Sequence, residues 1–249
     1  MSNFLDLKGK TYLVTGASGG IGTAVSKLIS EYGANVILTG RNEATLTELH
    51  RALNSNSSII VADLDEDSDI EKLVANIGQI DGIVHCAGIV KPMPIKFINR
   101  KNLEKVLNSN FYSAVLLTSS LLKKKKLNPE SSMVYISSIS SKFPYLGGGL
   151  YVSSKAALEA FAKTLALEHS NLLRANIISP GLVKTKIFED TEQATGEEEM
   201  KAYEEKYLLG FGETEDIANT CAFLLSSRSK WITGENIIMD GGLTIGSKK

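Results

Sequence analysis

The chain has 249 residues, 43% hydrophobic and 22% charged, with a formal net charge of −1. This composition is typical of a globular α/β domain and excludes wholesale disorder, while the absence of a clustered positive charge argues against nucleic acid or a membrane surface as partner. Because no apolar run reaches a membrane span and residues 1–10 lack the apolar core of a signal peptide, we expect a cytoplasmic protein.

Short β-branched runs alternate with longer amphipathic segments along the chain, and this alternation predicts a parallel sheet covered on both faces. The predicted strands are Thr11–Val14, Val36–Thr39, Ile59–Ala62, Ile83–His85, Met133–Ser137, Ala175–Ile178 and Ile237–Met239. The predicted helices are Thr23–Tyr32, Glu43–Leu53, Ser68–Ile77, Asn102–Lys123, Tyr151–His169 and Glu215–Leu225. We expect a single α/β domain over residues 1–249, doubly wound and of the Rossmann type, with about seven parallel strands.

One polar, acidic segment, from Leu182 to Gly212, interrupts the alternation. Its late position in a doubly wound fold indicates a substrate lid at 183–212, and a solvated excursion of the chain is the alternative.

A glycine-rich loop, Thr15-Gly16-Ala17-Ser18-Gly19-Gly20-Ile21-Gly22, joins the first strand to the first helix. In this context the backbone can approach a pyrophosphate closely, and the helix N-terminus supplies N–H groups and partial positive charge. We expect Gly16 to form the tight turn, Gly20 to admit the phosphate, and Gly22 to let the helix pack on the strand. The loop therefore predicts a dinucleotide site rather than a merely flexible turn.

The end of the second strand, Leu38-Thr39-Gly40-Arg41-Asn42, indicates which dinucleotide binds. A carboxylate there would accept hydrogen bonds from the adenosine ribose, and none is present. Arg41 instead offers a planar, charged set of donors that suits a 2′-phosphate. The sequence therefore favours NADP(H) over NAD(H).

Tyr151 and Lys155 are four residues apart and so lie on one face of a predicted helix. A neighbouring ammonium favours the phenolate, which would let a tyrosine transfer protons near neutral pH. Ser138 follows the fifth strand, thirteen residues before Tyr151. Because strands deliver their carboxyl ends to the ligand crevice, its hydroxyl is expected to polarise a substrate carbonyl.

The pattern Thr-Gly-x-x-x-Gly-x-Gly and the pair Tyr151-x-x-x-Lys155 resemble the short-chain dehydrogenase/reductase family, most of all its 3-oxoacyl-[acyl-carrier-protein] reductases, from about Leu7 to Gly242. The resemblance implies hydride transfer between a nicotinamide and a ketone or secondary alcohol. It implies a catalytic set of Asn110, Ser138, Tyr151 and Lys155, in which Asn110 helps hold a proton-relaying water. The expected cofactor residues are Gly16, Ser18, Gly19, Gly20, Ile21, Gly22, Arg41, Asp63, Leu64, Ala87, Gly88, Tyr151, Lys155, Pro180, Gly181, Val183 and Thr185.

The resemblance implies a 3-oxoacyl thioester as substrate, an acyl carrier protein as partner and a homotetramer as assembly. A keto-sugar or another small ketone remains open as substrate, and a catalytically silent NADP(H) sensor is the alternative outside enzymes. The run Lys123–Lys126 is either a solvated helix end or a docking patch for an acidic partner.

The chain departs from the family at His85-Cys86-Ala87-Gly88, where Asn-Asn-Ala-Gly is usual. We expect altered packing rather than lost activity, with His85 a hydrogen-bonded core residue rather than a base. Cys86 and Cys221 are expected to be free thiols. His50 and His169 have no Cys or carboxylate cluster at ligand spacing, so no metal is expected.

Overall fold

The computed structural model of the chain describes residues 4–53, 56–185, 188 and 196–246. Seven parallel strands form one sheet in the order β3-β2-β1-β4-β5-β6-β7, which confirms the predicted doubly wound architecture. The strands are β1 (Thr11–Thr15), β2 (Asn35–Gly40), β3 (Ser57–Val61), β4 (Ile80–His85), β5 (Leu127–Ile136), β6 (Leu173–Pro180) and β7 (Asn236–Met239).

Helices cover both faces of the sheet. In the described residues they are α1 (Gly20–Glu31), α2 (Glu43–Ala52), α3 (Asp67–Asn76), α4 (Arg100–Leu107), α5 (Ser113–Lys123), α6 (Gly149–Glu168), α7 (Glu197–Glu204) and α8 (Thr214–Leu225). One face packs on α1, α2 and α8, and the other on α3, α5 and α6. Along β1, Tyr12 and Val14 point into the first of these cores and Leu13 into the second, as the two-residue period of a strand requires.

The prediction of one continuous helix over Asn102–Lys123 is wrong. α4 ends at Leu107, a π-helical turn spans Asn108–Tyr112, and α5 begins at Ser113. The N–H of Ser113 reaches back five residues to the carbonyl of Asn108, so the turn holds one residue more than an α-helical turn. Hydrophobic periodicity continues across it, which is why the sequence pattern does not show it.

The polar segment before α8 carries a small core of its own. Met200, Tyr207 and Phe211 are buried together, and Val183 pairs with Gly212 in a parallel bridge that closes the segment at its base. A wholly solvated excursion is therefore the wrong description of its described part. Residues 186, 187 and 189–195 of the expected lid lie outside the described residues. No helix in the described part of the chain is long and apolar enough to cross a membrane.

Candidate active site

The strand order reverses between β1 and β4, and a cleft of about 340 Å³ opens there at the carboxyl ends of the strands. Most of the predicted cofactor residues line it: Gly16, Ser18, Gly19, Gly20, Ile21, Gly22, Arg41, Asp63, Leu64, Ala87, Gly88 and Thr185. Sequence reasoning missed Gly40, Ala62, Asp65, Cys86, Ile89, Ser109 and Ser113, which also line it. Gly40 and Ala62 lie at strand ends, so the rule that places ligands there would have found them.

Five predicted cofactor residues do not line this cleft: Tyr151 and Lys155 on α6, and Pro180, Gly181 and Val183 in and after β6. Pro180 ends β6, and the N–H of Gly181 donates to the carbonyl of Met239 (2.8 Å). Val183 is buried and paired with Gly212. Of the segment that follows β6, the structure brings Thr185 to the glycine loop, where its methyl group packs against Gly20.

The glycine loop fits a pyrophosphate. Gly16 has a φ of +60°, and a Cβ there would lie 2.8 Å from the backbone of Ala87, so the chain turns tightly beside the end of β4. Gly19, the N-cap of α1, provides no side-chain cap, which leaves first-turn N–H groups to a ligand. A Cβ on Gly22 would collide with the backbone of Gly16 and Ala17, the residues directly after β1, so a glycine here lets α1 pack closely on the end of the strand and its loop.

The far end of the cleft holds one cation and two carboxylates. Arg41 is exposed and forms no ion pair with any described carboxylate. Asp65 accepts a hydrogen bond from Ser109 (2.8 Å), and Asp63 accepts one from the N–H of Asp65 (3.2 Å). The carboxylates are thus engaged locally, while the Arg41 guanidinium remains available to an anionic ligand.

Tyr151 and Lys155 lie on α6, with the Lys155 Nζ 5.8 Å from the centre of the Tyr151 ring. Lys155 is buried and donates to the carbonyl of Ile136 (2.7 Å), and burial lowers its pKa to about 8. Burial raises the pKa of Tyr151 to about 12, and a hydrogen bond with Ser138 acts in the opposite direction. Ser138 also accepts from the N–H of Ser140 (3.2 Å), which begins the turn after β5.

Asn110, in the π-helical turn, ties the segment after β4 to α6. Its Nδ2 donates to the carbonyl of Ile89 (2.9 Å) and to Ser154 Oγ (3.0 Å), and its Oδ1 accepts from the Ile89 N–H (2.7 Å). A Cβ on Gly88 would lie 3.2 Å from Asn110 Oδ1 and 3.4 Å from Lys155 Nζ. Because Gly88 also lines the cleft, Asn110 and Lys155 stand directly behind the cleft wall.

The unusual pair at the end of β4 is uncharged. His85 is buried, stacks on Tyr135 with 4.6 Å between ring centres, and lies 3.3 Å from Thr118 Oγ1, so the expected core role is confirmed. Burial lowers the pKa of His85 to about 3 and raises that of Cys86 to about 12. Cys86 and Cys221 are both free thiols. Among the residues described, no three His, Cys, Asp or Glu side chains cluster as metal ligands.

Comparison with known proteins decides the family. The model of a family described as Enoyl-(Acyl carrier protein) reductase matches residues 16–244. The chain is a member of the short-chain dehydrogenase/reductase family. This short-chain dehydrogenase/reductase is 34% identical over 241 residues to the 3-oxoacyl-[acyl-carrier-protein] reductase FabG of Rickettsia bellii, covering 96% of this chain and 98% of the relative.

Solved structures of the same family superimpose on nearly the whole chain. A short-chain type dehydrogenase/reductase from Mycobacterium ulcerans has a TM-score of 0.89 at 28% identity, covering 98% of this chain and 92% of the other. A glucose/ribitol dehydrogenase-type member from Brucella melitensis has the same TM-score and identity, covering 96% and 98%. The protein is thus an oxidoreductase of a family that works with nicotinamide cofactors.

Proposed function

We propose that this protein is an NADP(H)-dependent ketoreductase that reduces the 3-oxo group of an acyl thioester. The observation that carries the proposal is the position of Lys155 and Asn110 behind Gly88, which brings the face of α6 that holds Tyr151 against the cleft formed by the glycine loop. This arrangement supports a proton donor on α6 next to a dinucleotide bound in the cleft.

Each residue of the set has a role that its contacts support. A bound nicotinamide supplies the hydride, and the Tyr151 hydroxyl donates a proton to the carbonyl oxygen as negative charge develops there. Ser138 donates a hydrogen bond to the same oxygen. The Lys155 ammonium favours loss of the Tyr151 proton. Asn110 fixes the geometry, and because its Nδ2 already donates to Ile89 and Ser154, a relayed water would bind elsewhere on this residue.

The preference for NADP(H) rests on Arg41. Arg41 lines the cleft without an ion pair to any described carboxylate, and it follows Gly40, on which a Cβ would lie 3.4 Å from Ser18 Oγ. A 2′-phosphate there would gain charge-assisted hydrogen bonds, which are worth about 1.5–3 kcal/mol.

Two segments, residues 89–103 and residues 139–150, support an acyl thioester as the substrate. The N–H of Met93 donates to the carbonyl of Gly147 (2.8 Å), which joins residues 89–103 to residues 139–150. Neither segment contains Asp or Glu, and together they carry the cations Lys91, Lys96, Lys101 and Lys142, while Arg100 forms an ion pair with Glu104 (3.4 Å) just beyond the first segment. Ile95 and Leu146 are 77% and 100% exposed. An apolar, cationic entrance suits an acyl chain delivered by an acidic carrier protein.

The lysine run at the end of α5 does not suit that docking. The carbonyl of Lys126 accepts from the N–H of Ile80, the first residue of β4, so Lys123–Lys126 lies at the amino edge of the sheet. The site lies at the opposite, carboxyl edge. The docking interpretation of this run is therefore wrong for a partner that delivers substrate to Tyr151.

We further propose a lid over residues 183–212 and a homotetrameric assembly. In the described part of this segment, Met200, Tyr207 and Phe211 form a buried cluster, and the bridge between Val183 and Gly212 closes the segment at its base. Exposed apolar side chains on two separate parts of the surface, Leu116 on α5 (44%) and Trp231 before β7 (95%), offer area for contacts between subunits.

The test is NADPH oxidation by the full chain with a short 3-oxoacyl thioester, beside a 2-enoyl thioester, a keto-sugar and a simple diketone, each repeated with NADH. Turnover of the 3-oxoacyl thioester with NADPH is expected to exceed the others. Turnover of the keto-sugar alone would agree with the proposed mechanism and identify a keto-sugar, rather than an acyl thioester, as the substrate class. NADPH binding without turnover of any carbonyl would indicate a sensor and contradict the proposal.

A further inference from the structure

A buried carboxylate lies close to the proposed catalytic residues, next to Ser138 in the chain fold and one helical turn from Lys155. Glu159 is on α6, one turn after Lys155, and is 7% exposed. Its Oε1 accepts hydrogen bonds from Ser137 (2.7 Å), from Ser179 (3.3 Å) and from Ser141. No described Lys, Arg or His forms an ion pair with it. Burying a carboxylate on hydroxyl partners alone is costly, so this position calls for an explanation.

The three serines belong to segments that carry the site. Ser137 immediately precedes Ser138, and Ser141 ends the 3₁₀ turn whose N-cap is Ser138. Ser179 immediately precedes Pro180 at the end of β6. One carboxylate oxygen therefore fixes the Ser138 turn and the end of β6 to the helix that carries Tyr151 and Lys155.

Glu159 also acts electrostatically on Lys155, from one helical turn away. The titratable groups facing the Lys155 ammonium are Cys86 after β4, and Tyr151 and Glu159 on its own helix. Burial raises the pKa of both the Cys86 thiol and the Tyr151 phenol to about 12. Burial depresses the pKa of Lys155, and this depression is opposed first by Cys86 and then by the negative charge of Glu159.

We propose that Glu159 is a positioning residue that places its carboxylate one helical turn from the Lys155 ammonium and holds the turn of Ser138 in register with Tyr151. The proposal rests on the proposed ketoreductase function and adds a fifth residue to its machinery. Two contributions are separable, because the charge acts on Lys155 while the serine hydrogen bonds act on Ser138.

The charge is tested by Glu159→Gln, which retains size and an acceptor oxygen. Loss of the negative charge lowers the pKa of Lys155 further, so the alkaline limb of kcat/KM for ketone reduction is expected to move to lower pH by about half a unit or more. Glu159→Asp should restore the wild-type limb. The matched control is Glu168→Gln, which removes an exposed carboxylate from the same helix. An unshifted limb in a folded Glu159→Gln protein would overturn the proposal.

The hydrogen bonds are tested by Ser141→Ala, which leaves the carboxylate in place. Here kcat is expected to fall several-fold, about the worth of one hydrogen bond, while the alkaline limb stays at its wild-type pH. If the alkaline limb of the kcat/KM profile shifted equally in Ser141→Ala and Glu159→Gln, the shift would come from a general disturbance of the site. That result would contradict a separate role for the charge of Glu159.

A double-mutant cycle in unfolding needs no substrate. The free energies of unfolding of the wild type, Glu159→Gln, Lys155→Met and the double variant give the coupling of the two side chains. We expect Glu159→Gln to cost less in the Lys155→Met background. Additive effects would refute the inference. Coupling in a protein that reduces no ketone would instead refute the proposed function and leave the pairing of Glu159 with Lys155 intact.

Discussion

Gly16 and Ala87 meet where the strand order reverses, so closely that a Cβ on Gly16 would lie 2.8 Å from the Ala87 backbone. The contact joins the loop after β1 to the segment after β4, the two walls of the cleft. Gly16 also has a positive φ of +60°. Any side chain at this position would meet a backbone strain and a steric conflict together.

Gly16→Ala is therefore expected to raise the Kd for NADPH about tenfold or more. The strained side chain displaces the loop that holds the phosphates, and a loss of about 1.4 kcal/mol in binding free energy corresponds to a tenfold weaker Kd. Fluorescence titration with NADPH measures this. The matched control is Gly9→Ala, where φ is +78° but no atom lies within 4 Å of the added Cβ. Gly9→Ala should lower the melting temperature while leaving NADPH affinity unchanged, and equal affinities for both variants would contradict the account of the cleft.

Arg41→Ala is expected to raise the KM for NADPH about 10- to 100-fold, because charge-assisted hydrogen bonds to a 2′-phosphate are lost. The KM for NADH should change little, since NADH has no phosphate there. Arg51→Ala, at the end of α2, is the control for loss of an exposed arginine. Equal changes for NADPH and NADH in Arg41→Ala would show that Arg41 does not read the phosphate.

His85 is expected to make the fold sensitive to acid. Its pKa falls from 6.5 to about 3 on burial, so between these values the folded protein binds fewer protons than the unfolded chain. The free energy of unfolding therefore decreases as the pH falls through this window, by at most about 1.4 kcal/mol per pH unit from this group.

His85→Asn removes that contribution. The free energy of unfolding, measured by urea denaturation, should then depend less on pH between pH 6.5 and about 3. Stability at neutral pH should fall, because the ring stacked on Tyr135 is lost. His169→Asn, at the end of α6, is the control. Parallel pH profiles for the wild type and His85→Asn would show that His85 is not the neutral, buried group described.

The sheet and the glycine loop could be predicted because local pattern decides them. Val36, Ile37 and Leu38 supply apolar side chains to both faces of β2, as a strand buried on both sides must, and Gly16 directly follows β1. The ends of helices and strands are predicted less accurately. α6 begins at Gly149, two residues before the predicted start at Tyr151. β5 begins at Leu127 rather than at Met133, because Asn128 and Pro129 are residues typical of turns and hide the start of the strand.

Contacts between distant segments could not be predicted. The π-helical turn leaves the apolar period of α4 and α5 intact, so only the hydrogen bonds of Asn110 to Ile89 and Ser154 show its purpose. Glu159 looks like any helical glutamate until three serines from two strand ends meet it. The acidic run Glu197–Glu199 likewise masks the buried Met200 beside it.

The central claim is that Tyr151 transfers the proton during ketone reduction, and Tyr151→Phe tests it most directly. The variant keeps the ring and loses the hydroxyl, so kcat for the 3-oxoacyl thioester should fall by about 10²–10⁴-fold, while NADPH affinity stays within about twofold of wild type. Tyr112→Phe, at an exposed tyrosine beside α5, should retain full activity. A Tyr151→Phe protein that turns over at the wild-type rate would contradict the mechanism.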